Sequence, residues 1–165
     1  MSNERIELLK RKNKGKKLFE EVSKKVSVTT SCIVSQQSFL DLEISDSLFK
    51  KVRAKAKSNL ITSRFKVEDK AELDKVLLEN SRRVSCDSVL CHISASQYCG
   101  LFSLPLSTAI EHAIDLVNYD KDDLFILDNE CTFMIHLEFI HDDYFEDNID
   151  AQSSRIDFYE LSIWA

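Results

Sequence analysis

Residues 131–140 read CTFMIHLEFI, and their alternation sets the architecture. Phe133, Ile135, Leu137 and Phe139 recur every second residue, the period of a strand with one buried face. Met134, His136, Glu138 and Ile140 share the other face. Upstream, Leu124 to Leu127 is a short apolar run that predicts a second strand, and Asn129 and Glu130 make the tight connection of a hairpin. Downstream, RIDFYELSIW (155–164) predicts a last strand. Its apolar phase changes between Phe158 and Leu161, so a bulge or sheet switch is expected near Tyr159.

Before the hairpin, the run Val89 to Ile93 within Val84 to Ser94 predicts a mostly buried strand. Tyr98, Cys99 and Gly100 make a turn or strand start, Leu101 to Leu104 continues extended, and Pro105 sets a break. A helix then buries Ala109, Ile110, Ala113, Ile114 and Val117. Its expected cap is Ser107 or Thr108, because Glu111 stands three residues after Thr108 as in a capping box. Residues 68–81 show helical spacing, with Glu68, Asp69 and Glu72 in the first turn. Ile61 to Val67 alternates as a strand. LFKKVRAKAKSNL (48–60) predicts a basic helix capped by Asp46 or Ser47. VSVTTSCIV (26–34) is β-branched and predicts a short strand. Residues 3–26 predict one helix with a weak middle, or a frayed arm followed by a helix from Lys16, since Gly15 costs a helix interior ~1 kcal/mol relative to Ala. The expectation is an α+β fold: an antiparallel sheet of four to six strands, a packed helix and a helical N-terminal region. Residues 1–165 read as one domain, with 1–25 a candidate helical arm.

Composition narrows function by exclusion. The 165 residues include one proline, two glycines and five cysteines, with a formal net charge of -6. Gly15 and Gly100 alone cannot build the common Gly-rich phosphate loops. No stretch approaches the ~20 apolar residues of a spanning helix, so no membrane is expected. Met1 to Lys17 lacks the apolar run of a secretory signal, which points to the cytoplasm and to reduced cysteines. Cys86, Cys91 and Cys99 lack the paired spacing of a structural zinc site. Charge divides unevenly: residues 1–83 carry 20 Lys+Arg and 12 Asp+Glu, residues 84–165 carry 2 and 16. Such a split concerns partners, or packing between the halves.

Three groups of residues could carry function. His136, Glu138 and His141 could hold zinc or iron, or do acid–base work, or simply line a strand face. His92 reads as a strand residue and His112 as a helix-surface residue. The nucleophile motif G-x-S-x-G is absent. Lys10, Arg11, Lys12, Lys14, Lys16, Lys17, Lys50, Lys51, Arg53, Lys55 and Lys57 could meet nucleic acid phosphates. They lack interleaved aromatics, and a solvated helix face, or a face docked on the acidic half, is the simpler reading. The acidic set is denser: Asp122, Asp123, Asp128 and Glu130 flank one strand, and Asp142, Asp143, Glu146 and Asp147 surround Tyr144 and Phe145. It lacks the EF-hand pattern. The set reads either as a solubilising acidic rim or, since carboxylates here ring aromatic anchors, as a surface for a basic protein. No catalytic residue, metal or cofactor is expected.

ISASQYCGLFSLPLSTAIEHAIDL (93–116), DDLFILD (122–128) and YELSIW (159–164) together resemble small bacterial immunity proteins of polymorphic toxins, including contact-dependent growth inhibition systems. The resemblance implies a protein without catalytic activity that binds and neutralises its cognate toxin domain. Such domains are often basic nucleases, whose substrate phosphates the acidic loops would imitate. The alternative is a nucleic-acid-associated regulator using the basic N-terminal helices.

Overall fold

In the computed structural model the described residues are 3–56, 60–120, 122–143 and 155–164. The chain is α+β. Its order is α1 (Asn3–Thr30), α2 (Leu42–Ala56), β1 (Ile61–Lys66), α3 (Lys70–Ser81), β2 (Ser88–His92), α4 (Ser96–Cys99), β3 (Phe102–Pro105), α5 (Leu106–Glu111), α6 (Ala113–Asp120), β4 (Asp123–Leu127), β5 (Met134–Asp143) and β6 (Arg155–Trp164). The six strands form one sheet in the order β1-β6-β5-β4-β2-β3. Every neighbouring pair is antiparallel.

Strand alternation divides the sheet into two faces. On the first, Val89, Cys91, Leu124, Ile126, Phe133, Ile135, Leu137, Tyr159 and Leu161 pack with Val22 and Val26 of α1, Leu73 and Leu77 of α3, and the apolar sides of α5 and α6. On the second, Leu90, Phe125, Leu127 and Met134 meet Val52, Leu48 and Phe49 of α2. Helices therefore cover both faces at the β2–β4 side of the sheet.

Several expected boundaries move, each for a physical reason. The β-branched stretch 26–34 is not a strand: α1 continues to Thr30. Val22, Val26 and Thr30, at four-residue spacing, are buried together, so tertiary burial overrides β propensity. The Thr30 hydroxyl donates to the Val26 carbonyl at 2.8 Å, and Ser31 turns the chain with φ 53°. Gly15 lies where α1 crosses α4: a Cβ there would sit 2.1 Å from the Tyr98 carbonyl oxygen. The helix accepts the glycine because only a bare Cα allows that approach.

The second helix starts earlier than Asp46 or Ser47 suggested. Asp41 caps it, its Oδ1 accepting the Glu43 N–H at 2.9 Å. The capping box at Thr108 is not formed either. The Leu106 N–H donates to the Asp87 carbonyl at 2.9 Å, so α5 begins directly after Pro105. The single helix expected there is two, broken at His112 (φ -106°, ψ 14°). No bulge interrupts β6: its register with β5 runs unbroken from Met134↔Trp164 to Asp143↔Arg155. The apolar phase changes because both faces of β6 are buried, with Tyr159 and Leu161 on the first face and Phe158 on the second.

Candidate functional site: the acidic end of the sheet

Strand β4 begins at Asp123 and ends at Leu127, with Asp122 and Asp128 just outside it. Five residues of strand at ~3.4 Å each put Asp123 and Asp128 about 17 Å apart. The acidic residues of the sequence are thus sorted to opposite ends of the sheet. The register pairs Asp123 with Glu138, which sets Asp142 and Asp143 on the Asp122/Asp123 side, further along β5. Tyr144, Phe145, Glu146 and Asp147 lie outside the described residues.

Asp128 faces inward. It is 7% exposed. Its Oδ1 accepts the N–H groups of Thr132 at 2.7 Å and Phe133 at 2.8 Å, and its Oδ2 accepts the Thr132 hydroxyl at 2.6 Å. These bonds shape the β4–β5 connection, where Cys131 takes a positive φ of 55°. Asp128 is therefore a structural residue of the turn and offers a partner no free oxygen, contrary to its expected place in the docking surface. Glu130 is exposed at that same end, across the sheet from Asp122, Asp123 and Glu138.

At the opposite end β5 and β6 outrun their neighbours. The last β4 pairing is Asp123↔Glu138, supplemented by the Phe139 N–H donating to the Asp122 carbonyl at 3.0 Å. The last β1 pairing is Lys66↔Phe158. Beyond these, His141↔Asp157, Asp142↔Ile156 and Asp143↔Arg155 form a two-stranded ribbon. His141 Nδ1 and Asp157 Oδ1 join the two strands at 2.7 Å.

Beside the ribbon's base is a cleft of ≈ 370 Å³, lined among others by Arg11, Asp46, Phe49, Arg53, His92 and Asp123. Arg11 holds Asp46 through two parallel bonds of 2.8 Å, and its Nε donates to the Gln97 carbonyl at 2.7 Å. Beneath it runs a ring stack. Phe49 and His92 lie parallel with centroids 4.4 Å apart, and Phe125 and His136 lie parallel at 4.0 Å. Phe49 and Phe125 meet edge to face at 4.8 Å, with the Arg53 guanidinium 4.6 Å from the Phe49 centroid. The sheet register builds this row, since His92 opposes Phe125 and Phe125 opposes His136.

Burial governs the titration of His92. It pushes His92 down to about 4, against a weaker upward pull from Asp123. Burial works to raise the Asp123 carboxyl, but His136, His92 and Arg53 outweigh it and hold that carboxyl below its ordinary value. His136 Nε2 stands 3.5 Å from Asp123 Oδ2. Neither that nitrogen nor His92 Nδ1 makes a hydrogen bond among the described residues.

The trio His136, Glu138 and His141 does not converge. β5 continues to Asp143, so alternation puts His141 on the first face with Phe139 and leaves His136 and Glu138 on the second. Nor do His92 and His136 meet at one point, because Phe125 stands between them. Among the described residues no three His, Cys, Asp or Glu side chains are grouped to hold a metal.

Several basic side chains also have partners within the protein. Lys10 meets Glu7 at 2.7 Å, and Lys12 lies within 3.4 Å of Asp41. Lys14 lies over the Tyr98 ring, and Lys55 donates to the Cys131 carbonyl at 2.9 Å. Lys16, Lys17, Lys50 and Lys51 are exposed, and Lys57 lies outside the described residues. Arg64 with Glu160 and Lys70 with Asp115 join the basic half to the acidic half. No described helix is long and apolar enough to cross a membrane.

Sequence reading missed the cleft. Arg11 and Asp46 are 35 positions apart, and Phe49 and His92 are on different elements, so no local spacing announces them. The one usable signal was His92 inside an apolar strand, a titratable group that burial had to perturb. No protein-family model matches the chain, and no curated protein or solved structure matches it either.

Proposed function

We propose that this chain is a non-catalytic immunity protein that docks a basic toxin domain at the acidic end of its sheet. The observation that carries this reading is the β5–β6 ribbon, which runs beyond both neighbouring strands. It places Asp142 and Asp143 past the body of the sheet, with Asp122, Asp123 and Glu138 at its base, and leads into the segment carrying Tyr144, Phe145, Glu146 and Asp147. An acidic surface of this kind speeds encounter with a cationic partner and discriminates against others. The internal engagement of Arg11, Lys12 and Lys55 favours this over the nucleic-acid alternative.

The test is co-purification of the tagged protein from its own cells. A stoichiometric basic toxin fragment, whose toxicity the purified chain blocks, is the expected result. Retention on DNA that weakens steeply with salt, with no such fragment, would favour the basic helices instead.

A further inference from the structure

The chain treats the two edges of its sheet differently. At the β3 edge, Phe39 forms a bridge to Phe102 and the Leu40 N–H donates to the Leu101 carbonyl at 2.8 Å. The segment leading into α2 thereby covers part of that edge. The other edge is β1, paired on one side with β6. Among the described residues no element is paired along its outer side. In β1 only Phe65 is buried. Ile61 is 68% exposed, and Leu60 and Val67, which flank the strand, are 44% and 40% exposed. An open edge with apolar side chains is a template for strand addition.

We infer that β1 pairs antiparallel with β1 of a second copy, about a twofold axis at Ser63. An axis normal to the sheet keeps each face on its own side, so opposed residues must have the same parity in sequence. With the axis at Ser63, exposed Ile61 lies opposite Phe65 of the second copy, on the face of the main core. Thr62 lies opposite Arg64, and Leu60 opposite Lys66. With the axis at Arg64, two arginines would oppose each other directly, which is destabilising. With the axis at Thr62, Ile61 would face Ser63 and keep its apolar surface in water. The Ser63 register alone among these covers Ile61 and sets no like charges opposite. Arg64 also enters the interface already paired, its Nε 2.8 Å from Glu160 Oε2. The result joins two six-stranded sheets into one, and it leaves the acidic ribbon to other partners.

Sedimentation across a concentration series, with the full chain, reads the association. The expected result is a concentration-dependent species of two chains. Ile61→Lys removes the apolar contact, and Thr62→Arg sets a charge opposite Arg64; each should weaken association by about tenfold or more. Circular dichroism checks that both variants stay folded, as the exposure of Ile61 leads one to expect. Ser63→Cys reports the register: a short thiol crosslinker should join two copies through it, above the wild-type background, and not after Ile61→Lys is added. A single-chain mass at every concentration would overturn the inference. So would a dimer that survives both substitutions, or one that Ser63→Cys fails to crosslink.

Discussion

Strand β4 is bracketed by aspartates, and its two ends use them in opposite ways. At the Leu127 end, Asp128 is buried and takes three donors from Thr132 and Phe133. At the Asp123 end the carboxylate lies in a cleft beside His136, and the neighbouring strands run on into a ribbon. The residue type is the same, yet one end closes a turn and the other lines a cleft. A cluster of acids in a sequence is thus no measure of an acidic surface. Hydrogen-bond demand decides at the closed end: a hairpin connection with unpaired N–H groups draws a carboxylate in, whereas Asp123 lines the cleft beside His136.

The largest effect expected from breaking this contrast is at Asp128. Asp128→Ala strands three donors in a tight connection and should cost about 3–4 kcal/mol, read by urea denaturation. Asp128→Asn keeps one carbonyl oxygen for the two N–H groups and should cost only about 1 kcal/mol. Equal losses in the two variants would show that the turn does not depend on these bonds.

Next comes the acid response of the cleft end. His92 is held down to about 4 in the fold, against 6.5 when free. Between those values the unfolded chain binds the proton and the folded chain does not, so stability is complete above pH ~6.5 and falls as pH drops toward ~4. The size is roughly 3 kcal/mol at ~1.4 kcal/mol per unit. Asp123, whose folded value is depressed, adds a separate loss only below its unfolded value of ~3.9. His92→Phe preserves a ring against Phe49 and removes the titrating group. Denaturation of this variant at pH 7 and pH 4.5 should show most of the pH difference gone; an unchanged difference would place the titration elsewhere.

Much of the fold was legible, and the exceptions have two causes. The alternation of residues 133–140 and the helical spacing of residues 71–78 reflect burial on one face, which periodicity records directly. Where burial is two-sided, periodicity misleads: Phe158 and Tyr159 are both inside, and that mimicked a bulge. Where a distant partner supplies the decisive contact, local signals name the wrong residue. Thr108 and Glu111 spelled a capping box, but the Asp87 carbonyl met the helix start first. The candidate site follows the same rule. Its acids could be read as a list, whereas their division between two ends required the register. Its cleft depends on Arg11 reaching Asp46 across the fold.

Smaller effects sharpen the functional side. Asp123→Asn should change stability near neutral pH by less than about 1 kcal/mol, because the nearest charge partner is an imidazole at 3.5 Å and partly exposed pairs contribute little. Its consequence should appear instead as slower toxin association at low salt. Glu130→Lys, exposed at the closed end, should leave both stability and association within error.

The most direct measurement compares association rates of the toxin domain with two folded variants of this chain. One reverses Asp142, Asp143, Glu146 and Asp147 together; the other reverses Glu130. The expected result is a loss of fast, salt-sensitive association and of protection in the first, with both retained in the second. Full protection by the fourfold variant, or a loss confined to Glu130→Lys, would place the docking surface away from the ribbon.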